Sequence, residues 1–222
     1  MKIRKSFFLV AAVCAFTVNA AFAQSSVSDI NAGIAAYRAG DHAAARQLLE
    51  PAADRGEAKA LRYLAYIMLE GAAPDETALT GGVDYLKQAA MAGDYVALVR
   101  LEDLRREGLT HSPSLDDMVE IESTRAADGD PVAAWRLARR FEAGDGVTPS
   151  QSDEAKWLEV AASAPPARFP KAGEAAFRLC QIKALGPEAA DPEAARHWCG
   201  MAAEGGHAGA AIVLRRLASL AD

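Results

Sequence analysis

Apolar and small residues recur along the chain at intervals of three and four, the spacing of a helix with one buried face. The spacing is plainest in two segments, at Leu61, Leu64, Ala65 and Met68 and again at Leu137, Ala138 and Phe141. Alternation of apolar and polar residues never extends beyond a few positions, so strands are not expected. The pattern therefore predicts a chain made of helices.

The helical pattern itself repeats, with a period of about 37 residues. A leucine seven residues before a glycine, here called the marker leucine and marker glycine, occurs at Leu64/Gly71, Leu101/Gly108, Leu137/Gly144 and Leu179/Gly186. A second signal, Ala-x-x-Gly, occurs at Ala53/Gly56, Ala90/Gly93, Ala126/Gly129 and Ala203/Gly206. We expect the marker glycines to end helices in the left-handed conformation that glycine adopts at low cost.

Each repeat is predicted to contain two helices, and several helix starts can be read directly. Ser114 is followed three residues later by Asp117, while Asp130 and Asp191 each precede a proline. One helix pair cannot bury its apolar face alone, but stacked pairs share a core. We therefore predict an all-α fold: an α/α solenoid of about five helix-pair repeats with a C-terminal capping helix at about 207–220.

The beginning of the chain has the pattern of an export signal. Three basic residues precede an apolar stretch at 7–16, and Ala21-Phe22-Ala23 offers small residues for cleavage before Gln24. We expect residues 1–23 to be a signal peptide and 24–222 to be one repeat domain, located in the periplasm or secreted. A lipoprotein anchor at Cys14 is the competing interpretation, although Val13 stands where such sites have a small residue.

Composition and charge narrow the class of partner. The chain is 51% hydrophobic, too apolar for a disordered tail. Residues 1–23 hold three of the 24 Lys and Arg residues and none of the 30 acids, so the mature formal charge is −9. A chain this acidic is a poor candidate for binding nucleic acid. No later segment reaches the roughly 20 apolar residues of a membrane helix, so no stable membrane insertion is expected after cleavage.

The repeat resembles the Sel-one-like repeat, a relative of the tetratricopeptide repeat. The residues that carry the resemblance best are those of the fourth unit: Leu137, Ala138, Phe141, Gly144, Gly146, Val147, Ala155, Trp157, Leu158, Ala161 and Ala162. Gly33 in place of a leucine, Glu102 at a small position and Arg125 within an alanine pair depart from the pattern. The resemblance extends over residues 27–220 and implies an α-solenoid.

The same resemblance implies a function class. Proteins of this family are mostly adaptors and regulators that bind other proteins, and exported bacterial members are common. One periplasmic type restrains a sensor kinase by holding its sensory domain. A cysteine-rich branch is associated with penicillin binding and β-lactam hydrolysis, but its cysteines recur in every unit, whereas here one unit contains them.

Two cysteines remain after removal of the signal peptide. Cys180 follows the marker leucine on a first helix, and Cys199 follows Trp198 on the next helix. These positions face each other in an antiparallel pair, so we expect a disulfide that stabilises the fold by roughly 3 kcal/mol. Two buried free thiols are the alternative.

Neither a metal centre nor a catalytic site is indicated. The set Cys180, His197, Cys199 and His207 is unsuitable for a metal because His197 and Cys199 point in directions about 200° apart around the helix. No nucleophile elbow or phosphate-binding loop is present, so we expect no enzyme activity and no cofactor. The acids Asp116, Asp117, Glu120 and Glu122 are predicted to form a solvated helix face.

A binding surface has more support. The first helices of such repeats line a concave groove, and aromatic and arginine residues contribute most at protein interfaces. The residues predicted to line the groove lie two before or two after a marker leucine: Arg62, Tyr66, Trp135, Arg139, Phe177 and Gln181. Packing of Trp135 and Phe177 between repeats is the alternative for those two.

The sequence therefore predicts an exported scaffold that binds a partner protein in its groove, as an adaptor or regulator of an envelope or signalling protein. The partner could be the periplasmic domain of a membrane regulator. Two alternatives remain open: an envelope enzyme or glycan binder acting on β-lactam or peptidoglycan, and an assembly factor without a groove ligand. The insertion from Pro165 to Pro170 is either an interaction loop or a long connection.

Overall fold

A computed structural model describes residues 27–71, 74–108, 111–187 and 190–219. In these residues the backbone forms helices and no strands: α1 (27–38), α2 (His42–Ala53), α3 (Ala58–Leu69), α4 (Glu76–Met91), α5 (Tyr95–Glu107), α6 (Leu115–Ala127), α7 (Pro131–Ala143), α8 (Gln151–Ala162), α9 (Ala172–Leu185), α10 (Pro192–Glu204) and α11 (Ala208–Ser219). In sequence order these are five pairs and a last helix. The predicted all-α repeat solenoid is confirmed. The expected signal peptide and Cys14 lie outside the described residues.

The predicted helix starts are correct. Ser114 and Asp117 form a capping box, in which each side chain accepts a hydrogen bond from the backbone N–H of the other residue. Asp130 and Asp191 each accept two backbone N–H groups at the start of α7 and α10, with proline at the first helical position. Within the described segments, no helix has the length and apolar character needed to cross a bilayer.

The prediction for the marker glycines is correct at two positions and wrong at two. Gly108 and Gly144 adopt φ of 67° and 73° directly after α5 and α7. Gly71 and Gly186 do not have positive φ. At Gly186 the reason for glycine is close packing, because a Cβ there would lie 2.5 Å from the carbonyl oxygen of Ile182 and would also overlap the side chain of Gln151 at the start of α8.

The helices form two compact units, α1–α5 in unit 1 and α6–α11 in unit 2. In unit 1, α3 packs against α2 and α4, and α4 packs against α5. In unit 2, each helix packs against the next one in sequence, and α11 also contacts α9. The marker leucines are the centre of both cores: Leu64, Leu101, Leu137 and Leu179 are at most 1% exposed.

Candidate functional site

Three of the residues that lie two before a marker leucine contact the segment just before the next first helix. In unit 1, Nε of Arg62 donates a hydrogen bond to Oδ2 of Asp94 at 2.7 Å, and Asp94 is the N-cap of α5. In unit 2, the ring of Trp135 lies 6.2 Å from that of Phe169, shortly before α9. Phe177 likewise stacks on His207, directly before α11, with ring centroids 3.7 Å apart. The contacts of Trp135 and Phe177 are therefore contacts between repeats.

Unit 1 contains three tyrosines in mutual contact, Tyr37, Tyr63 and Tyr66, which we call the tyrosine cluster. The Tyr37 and Tyr63 rings are 5.2 Å apart, and the Tyr63 and Tyr66 rings are 5.7 Å apart, both edge to face. The guanidinium carbon of Arg62 lies 4.8 Å from the Tyr63 centroid and 5.6 Å from the Tyr66 centroid. Two predicted site residues, Arg62 and Tyr66, are thus brought together.

Charged partners fix the edges of the tyrosine cluster. The hydroxyl of Tyr37 donates a hydrogen bond to Glu70. The pKa of Tyr37 is raised above its usual value of 10, with burial as the largest cause and this hydrogen bond as the next. Burial lowers the pKa of Arg62, but its hydrogen bonds to Asp94 and Tyr66 outweigh that effect and raise the pKa overall. Arg62 is therefore a permanent cation whose orientation is set by its neighbours.

The predicted site residues of unit 2 differ in exposure. Trp135 and Phe177 are half-buried against the core. Arg139 lies one turn after Trp135 on α7, with a side chain 58% exposed that pairs with Glu142 on the same helix. Gln181, one turn after Phe177 on α9, is half-buried. Arg139 is thus the predicted site residue with an open charged group, and the binding role of all six residues remains a prediction.

The predicted solvated face of α6 is wrong at one residue. Glu122 has 0% exposed side chain, and its carboxylate accepts hydrogen bonds from Arg136 at 2.8 Å and from Nε and Nη2 of Arg140. Asp116 and Glu120 of the same helix are exposed. Glu122 differs because it faces α7, where two arginines spaced four apart flank the marker leucine Leu137. That spacing is the signal in the sequence that could have identified the pair.

A second buried carboxylate repeats the arrangement in the next repeat. Nε of Arg178 donates to Oε1 of Glu154 at 2.7 Å, and the hydrogen bond to Glu154 is the main cause that raises the pKa of Arg178. Glu154 is buried near the start of α8. Arg136 and Arg178 both lie one residue before a marker leucine, and both reach a glutamate on the preceding helix. We call these two contacts the buried ion pairs.

Cys180 and Cys199 form a disulfide between α9 and α10, with Cα atoms 4.7 Å apart. Both residues are fully buried. Because their sulfurs are bonded, the alternative of two free thiols is wrong. Because the sulfurs are bonded to each other, neither is a thiolate that could attack a substrate or ligate a metal. Among the described residues no three His, Cys, Asp or Glu side chains converge on a possible metal position.

The inserted residues form a connection at 163–171 between α8 and α9. The carbonyl of Pro165 accepts the backbone N–H groups of Arg168 and Phe169, and Phe169 is 4% exposed, which anchors the connection in the core. Beside the connection lies a cleft of about 280 Å³. Its lining includes Ala164 and Pro166 of the connection, Gly173 and Ala176 of α9, and Met201 and Glu204 of α10.

Comparison with known proteins agrees with this architecture. The Sel1 repeat profile matches residues 33–57, 58–94, 131–165 and 173–207. No curated protein matches the chain. A protective antigen of uropathogenic Escherichia coli with an SLR fold has a TM-score of 0.58 and 22% identity over 89% of this chain, which spans only 42% of the antigen.

A Sel1 repeat protein from Oxalobacter formigenes gives a TM-score of 0.52 and 21% identity, covering 82% of this chain and 74% of that protein. At these identities the two solved structures establish the fold alone, whereas the repeat profile covers more than half of the chain. The chain therefore belongs to the Sel1 repeat family, whose repeats are non-catalytic scaffolds typical of protein–protein interaction.

Proposed function

We propose that this protein is an exported scaffold that binds a partner protein through the first helices of its repeats, as an adaptor or regulator of an envelope or signalling protein. The observation that carries the proposal is the fixed, partly exposed set of aromatic and arginine side chains on these helices. Such residues supply most of the binding energy at protein interfaces. Each unit presents its own set.

In unit 1 the set is preorganised. Arg62 is held by Asp94 and stacked over Tyr63 and Tyr66, so its rotamers are restricted before any partner arrives. Ordering a flexible arginine on binding costs roughly 0.5–1.5 kcal/mol, and this cost is largely avoided here. The tyrosine rings offer apolar faces together with hydroxyl groups, a combination suited to a peptide backbone.

In unit 2 the partner would meet an open charge beside half-buried aromatic rings. Arg139 is exposed, and its neighbour on the same helix face is Trp135, which is held by Phe169 and by Lys171 at 5.7 Å from the ring. A carboxylate of the partner can pair with Arg139 in place of Glu142. Binding of this kind is reversible and sensitive to salt.

Two features support export. The first 23 residues have the charge and hydropathy pattern of a cleaved signal, and the disulfide between Cys180 and Cys199 suits an oxidising compartment. Cytosolic thiols are kept reduced, so a buried structural disulfide is rare there. A periplasmic or secreted location follows as part of the proposal.

Arg139→Glu and Arg46→Glu form a matched pair of variants that tests partner binding. Arg46 is 47% exposed on α2, a second helix, and pairs with Glu50, so both substitutions reverse an exposed charge beside a glutamate. The tagged chain is recovered from crosslinked cell envelopes, and the retained proteins are identified by mass spectrometry. Binding of each purified candidate is then measured directly with both variants.

We expect one envelope protein whose affinity falls about tenfold with Arg139→Glu and is unchanged with Arg46→Glu. Equal affinity for the wild type and Arg139→Glu would contradict binding through the first helices of unit 2. Recovery of no specific protein would contradict the adaptor role itself.

Export is tested separately by cell fractionation and by mass spectrometry of the intact mature chain. We expect an N-terminus at Gln24 and a mass that includes the disulfide. A full-length chain with reduced cysteines in the cytosolic fraction would contradict export and leave the binding proposal to be judged on its own test.

A further inference from the structure

The cleft beside the 163–171 connection has fixed walls. Phe169 is buried in the core, and the Pro165 carbonyl closes a turn with two backbone N–H groups, so the connection is held in place. The other walls are the first turns of α9 and the end of α10. A cleft bounded in this way is present before any ligand binds, which lowers the cost of binding.

The lining of the cleft is mostly apolar. Alanine, glycine and proline residues form most of it, and Met201 adds a flexible thioether that adapts to an apolar chain. The volume of about 280 Å³ is just below the roughly 300 Å³ at which small-molecule pockets begin. The space therefore suits one long side chain rather than a cofactor.

The charge at the cleft is negative. Glu204 is exposed in the lining, and its side chain forms no ion pair or hydrogen bond with the described residues. It is the last residue of α10, where the helix dipole adds negative potential. The backbone carbonyl of Gly205 lies beside it, close to Gly173 on the opposite wall.

The two cations of the connection are directed elsewhere. Nη2 of Arg168 reaches the carbonyl of Gly129 at 3.5 Å, and Nζ of Lys171 lies over the Trp135 ring. The carboxylate of Glu204 is consequently left without a counter-charge from the connection. An apolar slot with an unpaired carboxylate at one end matches an alkyl stem that carries a cation at its tip.

We propose that this cleft binds a lysine or arginine side chain on an exposed segment of a partner protein. The stem lies between Met201 and the small residues of α9, and the charged head pairs with Glu204 and the end of α10. This proposal rests on the proposed function in one respect: the lysine or arginine side chain belongs to a partner protein. It adds a second contact surface, which selects a basic residue where Arg139 selects an acidic one.

The test uses two small probes and the full mature chain labelled with ¹⁵N. The probes are acetyl-Ala-Lys-Ala-amide and acetyl-Ala-norleucine-Ala-amide, which share the alkyl stem and differ in the ammonium group. We expect the lysine probe to shift the amide signals of Gly173, Ala176 and Gly205, with Kd on the order of 1 mM. The norleucine probe should bind about fivefold more weakly, the upper end for an ion pair with an exposed carboxylate.

Three variants separate the charge from the shape. Glu204→Gln should weaken the lysine probe about fivefold and leave the norleucine probe unchanged, because it removes the charge of an exposed residue. Gly173→Leu should abolish binding of both probes by filling the cleft. Gly173→Ala is its control, since α9 tolerates either residue at a helical position where a Cβ meets nothing nearer than 4.0 Å.

Equal affinity for both probes, lysine binding unaffected by Glu204→Gln, or signal changes confined to other surfaces would each overturn the proposal. These outcomes do not depend on partner binding through the first helices. Arg139→Glu should leave the lysine probe unaffected, so the two proposals fail independently.

Discussion

The two units hold neighbouring repeats together with different chemistry. In unit 1 the contacts are the tyrosine cluster and the pair between Arg62 and Asp94, and all of these side chains keep some contact with water. In unit 2 they are the buried ion pairs, in which the side chains of Glu122 and Glu154 are at most 4% exposed. The disulfide adds a link between the two helices of the last pair. The marker leucines are equally buried in both units.

The difference shows which positions of the repeat are constrained and which are free. The core leucine fills the space between helices in four of the repeats, whereas Gly33 takes its place in the first, where a Cβ would overlap Leu49. The residue directly before the core leucine contacts an earlier helix at three of these leucines: Tyr63 contacts Tyr37 in unit 1, whereas Arg136 and Arg178 bind glutamates in unit 2. A buried charge that loses its partner is costly, whereas a half-buried ring or an ion pair that keeps access to water loses less, so we expect larger losses of stability in unit 2.

The largest effect is expected from Glu122→Ala. The substitution removes the carboxylate that accepts two hydrogen bonds from Arg140, which is 6% exposed, and leaves Arg140 its pair with Asp145. Loss of a buried partner typically costs about 3–5 kcal/mol, and the remaining pair places this loss near the lower end of that range. The measurement is the free energy of unfolding from urea titration monitored by circular dichroism. Glu120→Ala on the exposed side of α6 is the control and should change it by less than about 0.5 kcal/mol. Equal effects of the two substitutions would refute the structural role of Glu122.

The disulfide should rank second. Replacing both cysteines by alanine removes a cross-link between residues 19 apart and should lower the free energy of unfolding by about 3 kcal/mol. Hydrogen exchange should show the loss of protection in α9 and α10 and leave α3 and α4 of unit 1 unchanged. Reduction of the wild type is the control and should reproduce the same pattern. A uniform loss across both units would contradict the local role of the bond.

Much of the fold could be predicted because its determinants are local. Helix starts depend on a side chain and a backbone N–H two or three residues apart, and Ser114 and Asp130 were identified on that basis. The repeat period depends on residues that recur at fixed intervals. The recurrence of the marker leucines on an apolar helix face therefore predicts their burial without knowledge of any long-range contact.

The errors concern residues whose role is decided by a distant neighbour. The acids beside Glu122 predict that it lies at the surface, whereas its burial depends on Arg136 and Arg140 in the following helix. The sequence predicts a left-handed turn at Gly186, whereas glycine is favoured there by close packing against the Ile182 carbonyl and against Gln151 of the preceding helix. The packing of Trp135 on Phe169 also depends on a distant residue, because Phe169 lies in an insertion whose path the sequence does not specify. The role of Trp135 in binding a partner remains a prediction.

Arg62→Ala is the strongest perturbation expected among the inter-repeat contacts of unit 1. It removes an ion pair whose side chains are 12% and 10% exposed, and it should cost about 1–2 kcal/mol, between a surface pair and a buried one. Asp94 continues to cap α5 through its other oxygen, which limits the loss. Arg46→Ala, on the exposed face of α2, is the control in the same urea titration. A loss as large as that of Glu122→Ala would remove the contrast between the two units.

The smallest effect is expected from Tyr37→Phe, which keeps the ring and removes the hydroxyl that donates to Glu70. Because both groups have access to water, the cost should be only about 0.5–1 kcal/mol at neutral pH. The more telling readout is pH dependence. The folded state raises the pKa of Tyr37, mainly through burial and next through Glu70. The protonated hydroxyl therefore contributes its full stabilisation below about pH 10. At higher pH the tyrosine ionises first in the unfolded chain, and this stabilisation is lost.

Between about pH 9 and about pH 11 the wild type should therefore lose more stability than Tyr37→Phe. Tyr95→Phe, at an exposed tyrosine of the same unit, should follow the wild type over the whole range. Parallel curves for all three proteins would mean that the Tyr37 hydroxyl is as free in the folded chain as in the unfolded one. The tyrosine cluster would then be an open aromatic surface rather than a contact that joins repeats, and a stronger candidate for the partner's binding site.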